Sequence, residues 1–237
     1  MIGAYLRMLE QRADQGYKDQ LLALADHNPS HILLDVGCGD GLLTRRLAES
    51  IGTTHVIGTE AHHPTALEAA RKGIKMYQSN LNVPFPLADA SVDVVHACQL
   101  IEHIYDLDVF VDEIYRVLKP GGYALIATVN IASWHNIAAM ILGWQPFTYV
   151  FITQKRVGNP LTIHGMNEEN TKWRCHVHPF TMRALRDIFE QRQFTIEATK
   201  GSGYLPFPPP LDQWLASIDQ AHAVCLTLKA RKPLSKS

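Results

Sequence analysis

Gly37, Cys38, Gly39 and Gly41 directly follow a short, largely apolar run, residues 32–36, that contains Asp35. A strand that opens through Gly37-x-Gly39-x-Gly41 into a helix is a ligand-binding turn. Glycines let the backbone turn sharply and come close to a ligand without Cβ clashes, and the helix N-terminus aims amides at it. The dinucleotide pattern G-x-G-x-x-G would need glycine at position 42, where this chain has Leu42. Glu60 stands at the end of the next apolar run, where a carboxylate can accept both hydroxyls of a ribose. That placement suits a nicotinamide dinucleotide too, so Glu60 alone leaves both ligands open.

Histidines are the other chemical resource, twelve in all. His103 follows the fourth expected strand at the carboxyl edge, where open sheets bind ligands, and an ordinary imidazole suits general-base work. A structural role for His103 competes with that reading; His135 and His178 are weaker candidates for the same work. Cys175-His176-Val177-His178 gathers three possible ligands in four residues, but no second cluster with ligand spacing accompanies it, and zinc is not expected. His62-His63 reads as a loop pair. The four cysteines (Cys38, Cys98, Cys175, Cys225) are far apart and form no CxxC pair. Free thiols in a reducing cytoplasm are the expectation.

The elements that must position these groups alternate. The pattern predicts helices over 4–25, 42–50, 64–72, 109–118 and 182–192. It predicts strands over 32–36, 55–59, 74–78, 92–97, 123–129 and 194–200. Pro120-Gly121-Gly122 reads as the turn before the fifth of these strands. A Gly/Pro-rich link over 201–210 leads to a short helix and a closing apolar run, 221–228. Strand–helix alternation at this spacing means an α/β fold with a parallel sheet covered on both faces.

Taken in order, these residues carry a resemblance. Leu33-Leu34-Asp35-Val36-Gly37-Cys38-Gly39-Asp40-Gly41 resembles the first motif of the class I S-adenosylmethionine (SAM) dependent methyltransferases. The resemblance continues through Glu60, Asn80-Leu81-Asn82-Val83-Pro84-Phe85-Pro86, Ser91-Val92-Asp93-Val94-Val95, Ile101-Glu102-His103 and Arg116-Val117-Leu118-Lys119-Pro120-Gly121-Gly122. It covers about residues 30–130, and more loosely 176–229; the nearest look is to the broad group with the ubiquinone-biosynthesis methyltransferases.

The resemblance implies a Rossmann-like, doubly wound, seven-stranded sheet, mostly parallel with an antiparallel last strand. It implies one domain over residues 1–237, with an N-terminal helical segment (1–28) and a substrate-cap insertion (131–178). By the same resemblance Asp35, Gly37, Cys38, Gly39 and Gly41 surround the methionine and ribose of SAM. Glu60 holds the ribose hydroxyls and Ala61 lies beside the adenine. Asn80 and Leu81 meet the adenine, with Asn80 where many members carry Asp. Cys98, Gln99 and Leu100 lie under the sulfonium. Some quinone-pathway members use a Glu-x-x-Glu-His metal site; Gln99 stands in place of the first Glu, and no metal is expected. A SAM-binding module without turnover and an NAD-dependent oxidoreductase are the competing functions.

Composition narrows the acceptor. With 22 Lys+Arg against 23 Asp+Glu there is no basic field for phosphate backbones, so nucleic acid is not an expected partner. The start of the chain has no basic n-region, and neither signal peptide nor membrane anchor is expected. Residues 121–154 contain no Asp, Glu, Lys or Arg, where the 19% average over the chain would place about six. The first third is the fifth strand. The rest, with Trp134, His135, Trp144 and Tyr149, reads as extra core or a dimer contact, as an apolar wall over a small apolar or aromatic methyl acceptor, or as a peripheral membrane patch. His178 joins that group as a substrate candidate. Residues 156–174 look like a mobile loop that could act as a lid.

Overall fold

The computed structural model describes residues 2–77, 84–149, 157–161 and 176–234. Seven strands form one sheet: β1 (Leu33–Val36), β2 (Val56–Thr59), β3 (Lys75–Tyr77), β4 (Val92–Cys98), β5 (Leu118–Val129), β6 (Thr195–Ser202) and β7 (Cys225–Arg231). Their order is β3-β2-β1-β4-β5-β7-β6. The pairs among β1 to β5 are parallel, and β7 runs antiparallel to both β5 and β6. The expected doubly wound sheet with its antiparallel last strand is therefore present.

Helices cover both faces. On one side α1 (Ile2–Leu24) and α2 (Leu42–Ile51) bury Leu9, Ala13, Tyr17, Leu21, Leu47 and Ile51 against Leu33, Val94 and Leu125. On the other, α4 (Leu107–Val117) and α6 (Met182–Glu190) bury Phe110, Ile114, Leu185 and Phe189 against Leu34, Val95 and Ile126. Neighbouring strand residues thus face opposite cores, as the pleat requires. Side-chain caps start the second pair: Asp106 accepts from the Val109 amide and Thr181 from the Ala184 amide. The helix α3 (His63–Arg71) starts with Pro64 in its first turn, and α5 (Trp134–Ile141) follows β5. The short α7 (Leu211–Ile218) precedes β7. Among the described residues no helix is long and apolar enough to cross a membrane.

Two expectations are corrected. Pro120-Gly121-Gly122 is not a turn ahead of the fifth strand; it lies within β5. Leu118 pairs with Val92, and pairing resumes with Tyr123 opposite Val94, so these residues bulge out while both ends stay in the ladder. Gly121 takes φ +82°, which allows that kink. The last strand spans Cys225–Arg231 rather than 221–228. Its Lys229 and Arg231 suit a sheet interior because Asp26 and Glu197 pair with both, and Lys229 Nζ sits 4.5 Å from the Tyr123 ring centre.

Candidate functional site

The strand order reverses between β1 and β4, and in such sheets the crevice beyond the carboxyl ends of those two strands is the ligand site. The turn after β1 is Gly37–Gly41, and the first residue after β4 is Gln99. Gly41 takes φ +79°, and a Cβ there would stand 2.5 Å from the Ile74 side chain, so only glycine lets α2 start this close to its neighbours. Gly39 takes φ +54° and faces open space, where a ligand could lie against bare backbone. Glu60 reaches across from the end of β2. Its carboxylate accepts from the Gly39 amide at 2.9 Å and from the His62 amide at 2.8 Å. Ala61, beside it, is exposed.

Asp35 lies beneath the turn, buried. One carboxylate oxygen accepts from Thr44 of α2 at 2.5 Å and the other from His96 Nδ1 of β4 at 2.7 Å. It ties β1, β4 and α2 together under the glycines, and a cofactor contact would share oxygens already engaged. Burial pushes the Cys38 thiol up to about 12 and raises the Cys98 and Cys225 thiols as well, so all three are neutral packing groups. These three are free thiols. Cys175 falls outside the described residues.

Gln99 sits at φ +50°, a strained backbone for a non-glycine residue, held there by a 2.8 Å bond from its amide to the Ala127 carbonyl. Its Nε2 is buried and has no partner among the described residues. Leu100 packs against Gly37. An orphaned donor, a glycine turn with open space above it and a carboxylate at the next strand end fit a nucleoside carrying an amino acid. Asn80 and Leu81 lie outside the described residues.

The turn Ile101–His103 carries a second group. Glu102 is fully buried; Thr128 donates to one carboxylate oxygen at 2.8 Å, and the other has no hydrogen-bond partner among the described residues. Burial raises its pKa to about 7. Its carbonyl accepts from the Val177 and His178 amides, which brings the segment around His176 against it. The His103 and His176 rings meet edge to face at 4.9 Å. His176 Nδ1 bonds to the Thr148 carbonyl, which can only accept, so that nitrogen donates. Glu102, His103 and His176 offer donor atoms within 4.8 Å of one another, an arrangement that could hold a metal ion. Sequence spacing did not find this trio, because His176 is 73 residues from His103.

The candidate substrate residues divide. His135 and Trp144 line one apolar cavity with Glu10, and Trp134 and His135 line its neighbour. Trp134 Nε1 donates to Asp219 at 3.1 Å and its ring stacks on His222. Tyr149 is half-buried and lines neither cavity. His178 is elsewhere: it lines a separate open groove with Tyr105 and Asp187, and its Nε2 donates to the Tyr105 carbonyl at 3.2 Å. The structure therefore joins Trp134, His135 and Trp144 but not His178. The expected lid segment lies almost wholly outside the described residues.

Sequence reasoning missed what holds this insertion in place. Asn136, fully buried in α5, donates to the Asn130 carbonyl, Ser133 and Thr148, and accepts from the Phe147 amide. Asn130 in turn donates to the Ala221 and Ala223 carbonyls. The available signal was an asparagine amid an apolar helix.

Comparison with known proteins agrees with this geometry. Residues 34–126 match the family model of a methyltransferase domain. Over that segment, and in its sheet order and glycine turn, the chain is similar to the class I S-adenosylmethionine-dependent methyltransferases. The ubiquinone biosynthesis O-methyltransferase of rat mitochondria (Rattus norvegicus) is 29% identical over 204 residues, 80% of this chain and 53% of that protein. The chain thus spans about half the length of such curated relatives. An S-adenosylmethionine-dependent methyltransferase from Mesorhizobium loti has a similar fold, with a TM-score of 0.63 at 17% identity, over 92% of this chain and 99% of that one. A geranyl diphosphate C-methyltransferase from Streptomyces coelicolor, solved with Mg2+, geranyl diphosphate and S-adenosyl-L-homocysteine, has a TM-score of 0.58 at 14% identity, over 91% of this chain and 79% of that one.

Proposed function

We propose that this chain transfers the methyl group of SAM to a small apolar or aromatic acceptor. The observation that carries the reading is the crevice itself: open backbone at Gly39 after β1 and the orphaned Gln99 Nε2 after β4 flank the topological switch, and the Glu60 carboxylate reaches in from the end of β2. In this reading the chain works as one domain with residues 131–178 as its acceptor cap, in the cytoplasm.

SAM supplies a methyl carbon already activated by a sulfonium. The residues of the chain bind, align and exclude water. Glu60 accepts the ribose hydroxyls in exchange for part of its backbone bonding, and Ala61 leaves room for the adenine. Asp35, Gly37, Cys38, Gly39 and Gly41 shape the bed for the amino-acid end, with Cys98, Gln99 and Leu100 beneath the reacting carbon. Where the acceptor arrives as a hydroxyl or carbon acid, His103 takes the proton, with Glu102 and His176 beside it. No metal is assigned, because Gln99 stands in place of the first Glu of the quinone-pathway metal site. The alternatives are weaker: Leu42 disfavours a dinucleotide, and a pure binding module leaves the titratable trio without work.

Calorimetry with SAM is the first test. Glu60→Ala is expected to weaken SAM binding roughly ten- to hundredfold with the fold intact; an unchanged dissociation constant sinks the ribose assignment. His103→Ala is expected to lower S-adenosylhomocysteine release at least tenfold with SAM affinity kept, and chelation should leave the wild type unaffected. Equal turnover removes His103 from the chemistry, and metal-restored activity after chelation removes the metal-free reading.

A further inference from the structure

The cavity beside α5 has a composition that selects its ligand. It encloses about 210 Å³ between α1, α5 and residues 205–206, walled by Ala138, Ala139, Leu142, Trp144, Phe147 and Leu205. Only two of its described lining residues carry a titratable group, Glu10 and His135, and neither Lys nor Arg is among them. The His135 Nδ1 atom is buried with no hydrogen-bond partner among the described residues, and the ring lies 5.4 Å from that of Phe147. Burial holds its pKa down at about 4, so the imidazole is neutral at physiological pH. A second cavity of about 410 Å³ shares His135, Ala138, Leu205 and Pro206 with the first. It adds Trp134, Tyr204 and Phe207, of which Trp134 and Phe207 are exposed, so it forms an outer vestibule.

One face of α1 links the cavity to the proposed methyl-transfer site. Glu10, Asp14 and Tyr17 share one face of α1, being four and three residues apart. Tyr17 is buried in the core that contains Cys225 and packs against Cys98 at the end of β4. Burial and the neighbouring Cys98 raise its phenol well above the ordinary value. Seven residues of helix rise about 10 Å, which separates the level of Glu10 from that of Tyr17.

We propose that this cavity is the acceptor pocket and that it selects an uncharged, ring-containing molecule with one hydroxyl or carbonyl, which pairs with His135. The apolar rings and aliphatic walls seat the body of such a ligand. The orphaned Nδ1 rewards a single polar group, since a buried polar atom left unpaired destabilises the fold. A carboxylate or phosphate finds no cation among the described lining residues and, above pH 7, meets the ionised Glu10 instead. Glu10 is then the residue that excludes anions. This inference rests on the methyl-transfer reading for what the ligand is used for, but not for the binding itself.

The test uses the full chain with 2-naphthol and 2-naphthoate as probes, of nearly equal size and opposite charge state at pH 8. Quenching of tryptophan fluorescence or calorimetry should give at least tenfold tighter binding of the naphthol. Ala138 is exposed and lines both cavities, so Ala138→Trp can fill the pocket from outside without entering the core. It should weaken naphthol at least tenfold and leave SAM affinity unchanged. Glu10→Gln should narrow the gap between the two probes by severalfold. Equal affinity for both probes, or no effect of Ala138→Trp, overturns the proposal. If the probes behave as expected while SAM does not bind, the pocket stands and the methyl-transfer reading falls. If methyl transfer is found with an acceptor whose KM ignores Ala138→Trp, the pocket falls and that reading stands.

Discussion

The turn after β1 and the insertion after β5 solve the same problem by opposite means. Each must hold irregular backbone at the carboxyl edge of one sheet. The turn does it locally, with positive φ at Gly37, Gly39 and Gly41 and with Asp35, Glu60 and Thr44, all within 26 residues of chain. His96 and Lys72, which donates to the Asp40 carbonyl, join from further away. The insertion does it at long range. Asn130 reaches residues 221–223, Trp134 reaches Asp219, and His176 reaches Thr148 and the His103 ring. A cofactor common to many enzymes can be met by a turn that backbone geometry defines. An acceptor cap has no such standard shape, and single side chains set its position.

The largest effect should separate the two regions at their most buried polar anchors. Asp35→Ala leaves His96 and Thr44 without their shared carboxylate beneath the turn. It is expected to cost roughly 3–5 kcal/mol in denaturant unfolding and to abolish tight SAM binding, because the turn loses its floor. If SAM affinity survives, the floor is not what shapes the turn.

Asn136→Leu is the matching cut in the insertion. Leucine has the same branched shape but is larger, and it strands the Phe147 amide and the Thr148 hydroxyl, while Ser133 and the Asn130 carbonyl keep only their bond to each other. A loss of about 2–3 kcal/mol is expected, smaller than for Asp35 because all these groups are neutral and some can reach water. SAM affinity should hold within twofold while naphthol binding is lost. Equal loss of both ligands would mean that the two regions are one cooperative unit and would break the comparison.

That contrast also explains what the sequence makes legible. Strands β1 to β4 stand out because each is a short apolar run beside its own turn, and the glycine spacing needs no distant partner. The charges that hid the end of β7 are a different case. Lys229 and Arg231 look like a surface on the chain, yet Asp26 and Glu197 neutralise them and the Tyr123 ring lies beneath. Nothing within five residues of Lys229 announces either acid. Glu10 is hidden in the same way: on α1 it reads as one of several exposed charges, and only the packing of α1 against α5 and residues 205–206 turns it toward a cavity. Legibility therefore tracks the distance along the chain over which a residue finds its partners. By that measure the cofactor side could be read, and Trp134, His135 and Trp144 could be named but not assembled.

The smallest effect concerns pH and belongs to the insertion alone. The His135 imidazole, held at about 4 by burial, is depressed below the value near 6.5 that it has in an unfolded chain. Such a group contributes stability above pH 6.5 and loses it as pH falls through 4, because the unfolded chain takes up a proton that the folded one refuses. Solvent reaches the ring through the outer cavity, which discounts the full linkage to roughly 2 kcal/mol over that window. His135→Phe removes the titrating group, so its stability should fall less steeply than the wild type between pH 6.5 and 4. Glu10, the other titrating group on the cavity, has its carboxyl raised to about 7 by burial, against the pull of Arg7. Its contribution has the opposite sign over nearly the same window, present below its unfolded value and lost as pH rises through 7, so Glu10→Gln should steepen the rise of stability with pH between about 4.5 and 7. The two variants changing the slope in opposite directions would tie both groups to one buried cavity; parallel profiles would place His135 in solvent and take the orphaned nitrogen out of the pocket.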